Sequence, residues 1–179
     1  MSSYMQIIEK VYKGKEQLIP DVLLCLDPGE TTGYAVFKDG YLTAWGQCAT
    51  VVSDGKKKQI DWNAVVKLFN YTKPTHVVCE DYKIYAHKLE RHTFSSVETL
   101  RLIGGIDFLC RTNLPVGLND VFIETIPIAY QMAFQGKGFA TDARLKEWGF
   151  WKEGMKHSRD AIRHGIYYLL VTNLKKVKQ

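Results

Sequence analysis

Three carboxylates in this chain stand where a fold would leave them at the edge of its core. Asp27 ends the apolar run Val22-Leu23-Leu24-Cys25-Leu26 and precedes Pro28-Gly29. Proline presets φ and glycine accepts φ > 0, so that pair reads as a tight turn. Glu80 ends a second run, Val77-Val78-Cys79, and Asp160 lies on the last helical stretch, three residues after His157. A carboxylate leaving an apolar strand needs a cation, a donor or water. Acids that crowd together cannot all stay ionised without compensation. A divalent ion supplies it, and hard oxygen ligands favour Mg2+ or Mn2+ over zinc. Two such ions roughly 4 Å apart activate a water and stabilise the leaving oxygen of a phosphodiester. His157 is a further ligand or a proton carrier.

These side chains need elements to hold them. The pattern predicts a strand over 22–27, a turn, a strand over about 33–37, a hairpin at Lys38-Asp39-Gly40 and a third strand from Tyr41 to Val52. Lys56, Lys57 and Lys58 follow in an exposed basic loop. Asp61 caps a helix to about Tyr71, and a fourth strand runs from Thr75 to Glu80. A polar, aromatic and basic loop then leads to a helix over about 93–111. A fifth strand falls within 116–124, and Pro127 opens a short helix to about Phe134. Gly136-Lys137-Gly138 interrupts the pattern, and a helix covers about 141–148. The last helix, about 156–174, separates three faces at 100° per residue. Ile162, Ile166 and Leu169 make an apolar face; His157, Asp160 and His164 share another; Lys156, Arg159 and Arg163 form a basic stripe. Early strands in a meander, then strands alternating with helices, predict an α/β fold with a five-stranded mixed sheet flanked by helices.

With 179 residues, 46% of them hydrophobic and 24% charged, the chain suits one domain with a substantial core. The division expected is an extension over 1–19, either a short amphipathic helix or a loose arm, and a domain over 20–179. No apolar stretch reaches the roughly 18 residues of a membrane span, and no leader pattern opens the chain, so a cytoplasmic protein is expected. Cys25, Cys48, Cys79 and Cys110 form no C-x-x-C pair, which argues against a zinc site or a disulfide framework. The net charge of +5 permits an anionic partner.

Asp27-Pro28-Gly29 with Thr32-Gly33, the strand-terminal Glu80, and His157-x-x-Asp160-Ala161 followed by His164 resemble the signature of RuvC-type Holliday junction resolvases, whose fold is RNase H-like. The resemblance extends from about Val22 to Leu170. It implies a homodimeric, Mg2+- or Mn2+-dependent endonuclease that resolves four-way DNA junctions by paired symmetric nicks. Asp27, Glu80, His157 and Asp160 would be both the catalytic and the metal-binding set. Some family members carry an Asp at the position of His157. Glu124 falls where the family has a strand-terminal Glu. Gly136-x-Gly138 resembles its small-residue turn, with Lys137 available for a phosphate. Two basic positions of the family fall instead at Gln131 and near Asp142. The helix over 93–111, with Phe94, Val97, Leu100, Leu102, Ile103 and Ile106, would be the dimer element, although burial beneath the sheet explains it equally.

DNA contacts are expected at Lys56, Lys57, Lys58, Lys83, Lys88, Arg91, Lys137, Arg159 and Arg163, with Tyr82 or Tyr85 as an aromatic wedge. A relaxed branched-DNA or flap nuclease of the same fold is the main alternative. An actin-like phosphate-binding ATPase shares the Asp-x-Gly-x-Thr turn, but it needs a second such domain. A non-catalytic junction-binding scaffold would not need the full set of acids.

Overall fold

A computed structural model describes residues 3–55, 57–82, 94–112 and 125–175. Its elements in chain order are α1 (Ser3–Tyr12), β1 (Val22–Asp27), β2 (Thr31–Lys38), β3 (Tyr41–Ala49), β4 (Val51–Asp54), β5 (Lys57–Ile60), α2 (Trp62–Thr72), β6 (His76–Asp81), α3 (Phe94–Arg111), β7 (Ile128–Met132), α4 (Ala133–Phe139), α5 (Asp142–Glu147) and α6 (Lys156–Tyr167). The main sheet has five strands in the order β3-β2-β1-β6-β7. The first three are antiparallel, and β1, β6 and β7 are parallel, so the sheet is mixed. Asp39 and Gly40 both take positive φ in the β2–β3 hairpin, as a two-residue turn of right-handed strands requires.

Strand alternation decides what each face of the sheet holds. Leu24, Leu26, Val36, Val77 and Cys79 pack with Val65 and Phe69 of α2 and Leu102, Ile103 and Ile106 of α3. Leu23, Cys25, Phe37 and Val78 pack on the other face with Ile162 and Ile166 of α6. Both faces are therefore covered, which is why β1 reads as an unbroken apolar run. Two residues past Cys25 and Val78 come Asp27 and Glu80. The same alternation that buries those apolar side chains under α6 turns both acids toward α6.

The first helix joins that core. Tyr4, Ile8 and Tyr12, spaced four apart, are buried along one face of α1. Tyr4 donates to Gly40 O at 3.1 Å and Tyr12 to Leu169 O at 2.5 Å, and the Tyr4 ring meets Trp148 and Phe150. No helix among the described residues is long and apolar enough to cross a membrane.

Several sequence expectations need correction. The third strand stops at Ala49, and Val51–Asp54 pairs with Lys57–Ile60 in a separate hairpin, so Lys57 and Lys58 lie on a strand rather than in a loop. The fifth strand of the sheet is Ile128–Met132, where a helix from Pro127 is expected; the 116–124 stretch lies outside the described residues. Gly136, Lys137 and Gly138 do not break the chain but lie inside α4. The last helix widens into a π-helical turn at Tyr168–Thr172.

Candidate active site

Asp27 is 8% exposed at the end of β1, paired across the sheet with Gly33. Its exit turn is pinned by Thr50, whose hydroxyl donates to Gly29 O at 2.7 Å and lies 2.6 Å from that of Thr32. Gly33 is what lets α6 arrive here: a Cβ on it would stand 2.1 Å from the His157 carbonyl carbon. The helix start has no side-chain cap from Met155; instead the His157 amide donates to Gln47 Oε1 of β3 at 3.0 Å. His157 then sets Nδ1 2.8 Å from Asp27 Oδ2.

One turn along α6, Asp160 is 3% exposed. Arg163 donates to it and to Asp142, and through Nε to Ala140 O at 3.0 Å. Lys137 Nζ reaches the other Asp160 oxygen at 3.1 Å. That reach depends on α4 lying close to α6: a Cβ on Gly136 would stand 3.2 Å from Arg163 and 3.3 Å from the His164 amide nitrogen. Glu80 is held by His164, whose Nε2 lies 2.7 Å from Glu80 Oε2. His164 is 1% exposed, and its Nδ1 lies 3.0 Å from Oε1 of buried Gln131, the register partner of Glu80 on β7.

The three acids share one electrostatic environment. Burial first, then Glu80 and Asp160, raise the Asp27 carboxyl to about 6 against the opposing hydrogen bond and charge of His157. For Lys137 burial works against the ammonium, but Asp160, Glu80 and Asp27 outweigh it and its pKa is raised.

Each acid is thus paired with a protein cation or an imidazole. Among the described residues no three metal-binding side chains stand close enough to hold an ion as they are. The donor chemistry nevertheless fits a hard divalent cation. Three carboxylates from β1, β6 and α6 converge, and after burial itself the charges of Glu80 and Asp160 add to the rise of the Asp27 carboxyl. Binding would require Lys137 and His157 to yield carboxylate oxygens.

Sequence reasoning named Asp27, Glu80, His157 and Asp160, and the structure brings all four to this one place. It placed His164 on the correct helical face without giving it a role. Sequence pattern does not show that Gln131, Asp142 and Arg163 organise the site; the i, i+3 spacing of Asp160 and Arg163 is the available signal. Among the expected DNA contacts, Lys137 and Arg159 line a recess of about 340 Å3 beside Asp160, with Arg163 at its buried side. Lys58 lies 2.5 Å from Glu30, and Tyr82 packs against the α2–α3 core. Lys56, Lys83, Tyr85, Lys88, Arg91 and Glu124, and the side chain of Lys57, lie outside the described residues. A larger cavity, about 470 Å3, opens beside the end of α3 at Cys110 and Ile126 and holds none of the acids.

No family model matches the chain, and no curated protein is significantly similar in sequence. Solved structures are similar. T. thermophilus RuvC in complex with a Holliday junction substrate superposes with a TM-score of 0.55 at 13% identity, covering 87% of this chain and 95% of that one. A second Thermus thermophilus RuvC structure gives 0.52 at 14% identity over 88% and 96%. The protein therefore has the RNase H-like fold seen in RuvC, a mixed five-stranded sheet flanked by helices.

Proposed function

We propose that this protein is a metal-dependent endonuclease of the RuvC type that cuts branched DNA, four-way junctions above all, by phosphodiester hydrolysis in the cytoplasm of a bacterial or phage-infected cell. The observation that carries the reading is the convergence of Asp27, Glu80 and Asp160 from three separate elements, on the fold of a protein that has been solved with a Holliday junction.

Asp27, Glu80 and Asp160 would hold Mg2+ or Mn2+, two ions per site, with His157 as a ligand or a proton carrier. The ions supply Lewis acidity toward a phosphoryl oxygen and a more acidic water. The chain's own groups do the rest. His157 holds Asp27 through Nδ1 before an ion binds, and once it yields that oxygen its ring is free to take or give a proton. Lys137, freed from Asp160, offers its ammonium to the phosphate. Arg163 keeps Asp160 in place, since its guanidinium is buried and committed to Asp160, Asp142 and Ala140. His164 and Gln131 fix the direction of Glu80.

Paired cuts need two copies of this centre. Val97 and Phe108, 51% and 55% exposed on α3, are apolar side chains that a homodimer would cover. The test is a panel of end-labelled four-way, forked, flapped and plain duplex DNA with and without Mg2+ or Mn2+. Symmetric paired nicks in the four-way substrate, lost in Asp27→Asn and Asp160→Asn while binding persists, are expected. Scattered nicking across the panel would make it a relaxed branched-DNA nuclease. Undiminished cutting by the variants would end the assignment.

A further inference from the structure

The end of α5, the loop that follows and the start of α6 carry cations that the acid centre does not use. Lys146, Lys152 and Lys156 are exposed, and neither they nor Arg159 pairs with an acid among the described residues. Two indoles hold most of this charge in place. The Arg159 guanidinium lies 4.3 Å from the centre of the Trp151 ring and Lys146 Nζ lies 4.8 Å from the same ring, while Lys152 Nζ is 5.8 Å from that of Trp45. Arg159 also donates to Lys152 O. Both tryptophans are part-buried against the α6 core, so their cations rest on a fixed base. A cation already ordered loses less freedom when it meets a phosphate.

This patch is continuous with the candidate site. Lys156 and Arg159 line the recess beside Asp160, together with Lys137, Arg163 and Asp142. Residues 156, 159, 160 and 163 share one side of α6 by their i, i+3, i+4 and i+7 spacing. Within the recess Arg163 is matched by Asp142 and Asp160, and Lys137 by Asp160, so the unmatched charge there belongs to Lys156 and Arg159.

We propose that Lys156, together with Arg159, Lys152 and Lys146 seated on Trp151 and Trp45, forms a track for the phosphates of the DNA strand as it runs away from Asp160. The inference rests on the nuclease reading and extends it, since it names where the strand lies beyond the cut. A polyanion fits because the unpaired charges run outward from the recess in which a phosphodiester would react.

The test uses the full chain carrying K146A/K152A/K156A, with K38A/K67A/K73A as a charge-matched control. Lys67 and Lys73 belong to α2 and its cap on the other face of the sheet, and Lys38 lies at the end of β2 remote from Asp27. Binding of a four-way junction is measured without divalent ions over a range of salt. Each lost phosphate contact lowers the slope of log affinity against log salt by about 0.9. The first variant should therefore flatten by about two to three and bind at least about tenfold more weakly near 0.1 M salt. The control should match the parent in slope. Equal slopes for the two variants would overturn the track, and would also be the result if the patch served an acidic protein instead. No junction binding by the parent would overturn both the track and the nuclease reading.

Discussion

Replacing Gly33 by alanine puts a methyl carbon 2.1 Å from the carbonyl carbon and oxygen of His157 and 2.6 Å from the Ser158 nitrogen. These are backbone atoms, so no side chain can swing aside. Either β2 bends or the start of α6 lifts by about 1 Å, and α6 carries His157 and Asp160 while β2 is paired to the Asp27 strand. Overpacking of this kind costs about 1–3 kcal/mol, which a domain of this size survives. Displacing reacting groups by about 1 Å costs on the order of a hundredfold in rate. We therefore expect Gly33→Ala to fold, to bind a four-way junction within a few-fold of the parent, and to cut it about a hundredfold more slowly in single-turnover assays with Mn2+. Lys67→Ala, at an exposed position of α2, is the control and should keep the rate. If Gly33→Ala cuts within threefold of the parent, the seating of α6 on β2 is not what holds the acids.

Asp27 offers a test that needs no substrate. Its carboxyl is raised from 3.8 to about 6, so the folded state holds that proton more tightly than the unfolded chain does. This contribution is fully present below about pH 4 and is lost as pH rises through about 6. Asp27→Asn cannot ionise, so without metal it should be more stable than the parent at pH 8 by up to about 3 kcal/mol, with the gap closing toward pH 4. Thermal melts across that range check this, and a lower melting point for the variant at pH 8 would contradict it. His164 offers a chemical contrast. His164→Gln can still present an amide N–H near Glu80, whereas His164→Asn is too short to replace Nε2. The Asn variant should lose about 10–100-fold in Mn2+ affinity, followed by calorimetry, and the Gln variant much less. Equal losses would mean that His164 merely fills space.

Much of this arrangement was legible in the chain because it rests on local pattern. An apolar run ending in an acid gave Asp27 and Glu80 their strand-end positions, and Asp61 does cap its helix, accepting from the Ala64 amide at 3.2 Å. Residues 128–132 were not legible as a strand. A proline followed by a five-residue, mostly apolar run is an equally good helix start, and what makes it β is pairing with β6, a contact far away in sequence. Gly136 looked like a breaker because glycine is poor in helices, yet α4 accepts it where α6 passes closest. Arg163 looked like a surface charge for the same kind of reason. Its burial depends on Asp142 and Asp160 meeting it, and only Asp160 is close enough in sequence to be seen.

The most direct measurement is anomalous diffraction near the manganese edge from crystals soaked in Mn2+. Density is expected at ions bound by Asp27, Glu80 and Asp160, with Lys137 withdrawn from Asp160. Saturating Mn2+ that leaves the Lys137–Asp160 and His157–Asp27 pairs intact, with no anomalous density between the three carboxylates, would contradict it.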